Sequence, residues 1–305
     1  MSCNHDPAIL RATLLSCLLF ALPSQAHTQQ PTQQQPTLDQ VLTRVHENFE
    51  AYLVSVPNLF ADEHLVSSFS ARDEQSGRAG TNSTIDSVFR LKRSDDDDDT
   101  PIILVESRQI KSVDHRPPAP DQSLTGPVIL ANAFSAAASF LSPDLERCYD
   151  YRLQPSRRLN NATALVIEYA LKPSLPAGTR CPVFEENKGR AFIDPVSMQI
   201  VRLEQKRPHH ELTSGAPGSW NEVTPGTLGT WSWSIDYAPV SISNKSFWLP
   251  KTISSSTSTN TGRLINWSFV ATYSNYHLLT VTSTILPTGA DPSPAPASPT
   301  TPPKN

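Results

Sequence analysis

His209-His210-Glu211 is the one local cluster in the chain that suggests a metal site. Imidazole nitrogens and carboxylate oxygens both ligate divalent cations. Adjacent side chains on an extended backbone point to opposite faces, so His209 and His210 should not converge on one ion. Asp62-Glu63-His64 sets acids beside a base, and it reads as a surface group at the start of a strand. His277 has no partner visible beside it, and His46 lies next to an apolar helical stripe, as a packed or boundary histidine would. Counted from Asp95, the run Asp95–Asp99 places Asp at calcium-loop positions one, three and five, with Glu106 at position twelve. Such a loop also needs Gly at position six and flanking helices. Thr100-Pro101 and strand-like flanks stand there instead, so a solvated acidic hairpin tip is expected. G-x-S-x-G, H-E-x-x-H, a phosphate loop and a dinucleotide fingerprint are all absent from the sequence. No catalytic residue, metal ligand or cofactor is therefore assigned, and an enzyme is not expected. A hydrolase using the loop Pro208–Gly226 is the remote alternative.

The remaining reactive side chains are cysteines. Arg11, the apolar run Leu14–Leu22 and the small-residue site Ser24-Gln25-Ala26 read as a secretory signal spanning 1–26. The run is too short to cross a bilayer. Leu14-Leu15-Ser16-Cys17 is a weaker match to a lipid-anchoring motif, with Cys17 as the anchor. Cleavage leaves Cys148 and Cys181, and an exported chain with two cysteines most simply forms one disulfide. The net charge of −4 gives no basic footprint for nucleic acid. Asn82, Asn161, Asn244 and Asn266 open glycosylation sequons, which matter only in a eukaryotic secretory route.

The elements that must position any site follow in order. Residues 27–36 form a polar Gln/Pro linker. Thr37 and Gln40 make a capping box for a helix whose stripe is Leu38, Val41, Leu42, Val45, Phe49 and Leu53, stopped by Pro57. Strands are predicted at Glu63–Ala71, Ile85–Arg93 and Ile102–Val113. Val128–Leu141, apolar almost all round and bounded by Pro127 and Pro143, is predicted as a second, buried helix. Strands then follow at Arg147–Leu153 and Thr163–Leu171. Gly189–Arg207 is a hairpin turning at Asp194-Pro195-Val196-Ser197, where proline suits the first central turn position. Its second arm sets Ile200, Arg202 and Glu204 against Val201, Leu203 and Gln205. Trp231–Tyr237 alternates most clearly of all. Phe247–Ser256 is interrupted by Pro250 and is expected near an edge. Ile265–Tyr273 and Leu278–Leu286 complete the set, and the Pro/Ala/Ser/Thr tail 287–305 is expected to be disordered. The fold class is α+β over 37–286: about ten strands in a single curved antiparallel sheet, its apolar face covered by one or two helices.

The amphipathic first helix, the stretch GRAFIDPVSMQIVRLE at 189–204, Phe247-Trp248-Leu249-Pro250 and the segment FVATYSNY at 269–276 resemble the bacterial lipoprotein-carrier superfold, the LolA/LolB-like half-barrel. The resemblance covers about residues 38 to 286. It is nearest to uncharacterised exported bacterial proteins. It implies a periplasmic or secreted binding protein whose partner is a lipid or a lipid-modified protein.

The candidate wall for an apolar ligand is Trp231, Trp233, Tyr237, Trp267, Phe269 and Tyr273 on the strands, with Phe134 on the second helix. The alternative is an envelope structural or interaction module that meets a protein partner, in which the same aromatics form a filled core.

Overall fold

Thr37 starts the first helix, α1 (Leu38–Ser55), through a reciprocal capping box: Gln40 N donates to Thr37 Oγ1 and Thr37 N donates to Gln40 Oε1. The chain is seen in a computed structural model that describes residues 35–73, 77–94, 103–120, 132–135, 137–175, 178–179, 181, 185–211, 228–259 and 264–279. The expected signal 1–26, nearly all of the linker, Asp95–Asp99, 212–226 and the tail lie outside these residues. Val41, Leu42 and Val45 bury one face of α1, and Pro57 follows its end. No described helix is long and apolar enough to cross a membrane.

Among the described residues, ten strands form one antiparallel sheet. These are β1 (Leu59–Asp73), β2 (Gly77–Ser94), β3 (Ile103–Val113), β4 (Tyr149–Leu159), β5 (Ala162–Leu171), β6 (Lys188–Ile193), β7 (Ile200–Glu211), β8 (Leu228–Ile242), β9 (Lys245–Thr259) and β10 (Leu264–Leu278). Their order across the sheet is β3-β2-β1-β10-β9-β8-β7-β6-β5-β4. Consecutive strands are neighbours except β3 and β4, which form the two edges. The first strand pairs with the last, Leu59 opposite Leu278.

Alternation places Leu59, Ala61 and Leu65 of β1, Ile85, Phe89 and Leu91 of β2, and Phe269, Ala271 and Tyr273 of β10 on one inward face, where α1 packs. A bulge beside Val201 shifts the register between β6 and β7. Ile200 and Leu203 therefore both turn inward, where strict alternation had set them on opposite faces. Gly189 is required opposite Tyr169. A Cβ there would stand 2.1 Å from Glu204 O and 2.3 Å from the tyrosine ring, whose hydroxyl donates to Glu204 O.

Three expectations are corrected. Val128–Leu141 is not one helix: residues 132–135 form a turn, with Asn132 at φ 60°, and Ala137–Leu141 is a single 3-10 segment. Ala133, Phe134, Ala137 and Leu141 of this stretch are buried, but α1 is the only α-helix among the described residues. β9 is not an edge; it lies between β10 and β8. Its ladder with β10 stops at Thr252, and a bulge at Lys251 of β9, against β8, adjoins Pro250, so the missing N–H breaks no bond to β10. Finally, β7 runs through Pro208 to Glu211, so the expected loop begins later than Pro208.

Cys148 and Cys181 form the expected disulfide, with Cα atoms 5.9 Å apart. The bridge ties the segment before β6 to the start of β4.

Candidate functional site

A cleft of about 230 Å³ opens between α1, the 132–138 segment and the near ends of β7, β8 and β9. Its walls are mostly apolar: Val45, Phe49, Ala133, Phe134, Ile200 and Phe247 are among them. Hydrogen bonds crossing between elements fix the walls formed by α1, the β6–β7 turn and residues 132–135. Asn48 Nδ2 on α1 donates to Ser197 O at 3.0 Å and Met198 O at 2.8 Å, which locks the helix onto the turn between β6 and β7. Asp194 shapes that turn by accepting at Oδ1 from Val196 N and Ser197 N, and these bonds hold its carboxyl below the usual range. Tyr52 Oη donates to Phe134 O at 2.9 Å. Phe134 N donates to Glu106 Oε1 at 2.8 Å, and the Phe134 ring stacks on Phe89 at 4.3 Å. Arg93 Nη2 donates to the carbonyls of Leu53, Val54 and Val56 and so closes the C-terminal end of α1.

Two polar atoms near this cleft stand out. Tyr237, one of its lining residues, has a buried hydroxyl with no hydrogen-bond partner. Glu106 Oε2 is likewise buried and unpartnered, although Oε1 is satisfied. Burial raises the Glu106 carboxyl above its ordinary value, against the opposing pull of the Phe134 N–H. Burial chiefly, and then the charge of Glu106, raises the Tyr237 phenol. Unsatisfied buried groups of this kind are uncommon in native folds.

A second polar cluster lies on the inward face. Glu63 is 2% exposed; it accepts from Arg108 Nε at 2.9 Å, Ser87 Oγ at 2.5 Å and Tyr273 Oη at 2.7 Å. The surface reading of Asp62-Glu63-His64 therefore holds for its outer members only. Asp62 and His64 are exposed, whereas Glu63 occupies the inward phase shared with Ala61 and Leu65. That phase was the available signal, masked by the polarity of the triplet.

The predicted wall residues divide into three groups. Phe134 and Tyr237 line the cleft. Trp233, Trp267, Phe269 and Tyr273 are buried in the packed inward face, and Trp233 Nε1 donates to Gln205 Oε1. Trp231 is half-buried beneath Arg207, 4.4 Å from its ring centroid, and donates to Ser255. Tyr52, absent from the predicted wall, lines the cleft as well. His209 and His210 separate as their adjacency required: His209 faces Glu186 at 3.6 Å and His210 faces Glu185 at 3.0 Å. Among the described residues no group of three or more His, Cys, Asp or Glu side chains could hold a metal.

No protein-family model and no curated protein matches this chain. Solved structures do. A candidate outer membrane lipoprotein-sorting protein domain from Vibrio parahaemolyticus is 13% identical, with TM-score 0.31, over 79% of this chain and 93% of that one. A LolA superfamily protein from Nitrosomonas europaea is 11% identical, with TM-score 0.28, over 81% and 96%. A DUF1329 family protein from Desulfovibrio piger aligns at 10% identity and TM-score 0.29, over 79% and 95%. At these low TM-scores, the cleft and its side chains are read from this chain alone.

Proposed function

We propose that the chain is an exported, non-enzymatic binding protein that holds the apolar part of a lipid or of an acylated partner in the cleft beneath α1. The observation that carries this reading is the cleft itself: about 230 Å³, apolar-walled, with the Tyr237 hydroxyl buried beside it and unpartnered. Ligand sites are concave and mostly apolar, with a few polar groups that fix orientation. An apolar chain in the cleft with an ester, amide or hydroxyl at its end would satisfy Tyr237. The Cys148–Cys181 bridge fits an oxidising compartment outside the cytoplasm.

The packed-module reading also has support, because most of the aromatic face is filled core. Native mass spectrometry of protein from a periplasmic expression host, with lipid extraction alongside, separates the two. A fatty-acyl adduct on the wild type that disappears in Ala138→Trp, at unchanged melting temperature, is expected from a ligand cleft. An apo mass for both proteins, with no uptake of added fatty acid, overturns it in favour of the packed module.

A further inference from the structure

The outward face of the sheet carries a trough that the cleft reading does not use. About 790 Å³ of space runs across seven strands, β4 to β10, on the face away from α1. Its residues come as two outward rows flanking one inward row. Tyr169, Gly189, Gln205, Trp233, Ser255 and Phe269 are register partners that turn inward, so they border the trough with their main chain. On one outward row Ser232 pairs with Ser256 and Ser256 with Ser268. The row continues through Ser68 of β1 to Asn82 of β2, where a second space of about 700 Å³ adjoins the first. On the other outward row Ser234 pairs with Ser254.

Short hydroxyls at successive outward positions are what make this a trough. β-branched and aromatic residues, the usual strand formers, would fill it. Crossing the strands in mid-sheet, it has no free ladder to offer a peptide, because those N–H and C=O groups are spent between strands. What remains is a lane of hydroxyls that both donate and accept. At one end of the lane Lys206 stands opposite Lys188, both exposed, with no ion-pair partner among the described residues. Like charges directly opposite on one face repel each other, and an anion between them would relieve the repulsion. Of the neighbouring charges, Glu204 accepts from Arg190 at 2.7 Å and from Arg202 at 2.7 Å, while Asp150, Arg152 and Glu168 border the trough beyond Lys188. Six inter-strand spacings make the lane roughly 29 Å long, room for several sugar units.

We propose that this trough binds an acidic oligosaccharide chain, its hydroxyls on the serine rows and a carboxylate or phosphate between Lys188 and Lys206. Isothermal titration of the whole protein with a galacturonate hexamer and with the neutral cellohexaose tests it. The acidic hexamer is expected to bind, and cellohexaose roughly tenfold more weakly. Lys188→Ala/Lys206→Ala should weaken the acidic hexamer by roughly tenfold and flatten its salt dependence. Ser256→Tyr, an exposed substitution that fills the lane, should abolish binding, while Ala138→Trp in the distant cleft leaves it unchanged. No heat from either hexamer at ~5 mM, or equal binding by wild type and Ser256→Tyr, would overturn the proposal.

Discussion

Glu63 and Arg108 show how a single buried charge is tolerated here. Glu63 is desolvated, and three donors on β2, β3 and β10 surround its carboxylate. Removing one partner of such a pair strands the other, at a cost of about 3–5 kcal/mol, whereas an apolar replacement of both is often near neutral. Arg108→Ala should therefore lower the unfolding free energy by ~3–5 kcal/mol in urea titrations, and Glu63→Leu/Arg108→Met by far less. Glu106 behaves in the opposite sense. Its folded carboxyl titrates above the ordinary value, so between the two values the native state holds more protons than the unfolded chain. Stability from this group is complete below the ordinary carboxylate range and falls as pH rises through the folded value. Glu106→Gln should remove that slope from melting temperatures measured across mildly acidic pH. Neither role was legible beforehand. The polarity of Asp62-Glu63-His64 hid the phase of Glu63, and Glu106 stood out only as the twelfth position of a calcium loop that lacks its glycine.

Among the elements, those whose signals are local came through intact. The Thr37–Gln40 box, the Asp194 turn and the alternation of β8 all lie within a few residues of their cause. Thr37→Ala should cost about 1 kcal/mol, read as a shift in denaturant midpoint. The 128–141 stretch failed because composition reports burial, not helicity. Asn132 breaks the run with a left-handed backbone, and only a 3-10 segment remains after it. Pro250 misled for a complementary reason: proline excludes a ladder bond, and here the ladder to β10 had already ended. Gly189 is a further dependence on a distant neighbour. A Cβ would meet Tyr169 and Glu204 O at once, so Gly189→Ala should destabilise by ~1–3 kcal/mol, while Tyr169→Phe/Gly189→Ala gives no rescue because the ring remains.

At the scale of the whole sheet, the described strands form nearly a simple meander. Every strand but one follows its spatial neighbour, and the exception is the β1–β10 seam joining the two ends of the sheet. The antiparallel sheet was legible from alternation, but no local pattern announces that Leu59 will lie beside Leu278. A circular permutant opened between β3 and β4, with residue 279 joined to residue 35 through a flexible linker long enough to run back along α1, would make every strand pair sequential. Loop-closure entropy then falls, and stopped-flow refolding should be faster at similar stability.

The natural order has a cost during vectorial emergence. In a chain that leaves a channel N-terminus first, β1 to β3 appear early with one side of β1 bare, and after β3 is complete about 150 residues still separate Val113 from Leu264, where β10 begins. For that interval the open edge of a strand rich in apolar side chains is exposed to any other chain nearby. The last strand made is thus the one that shields the first.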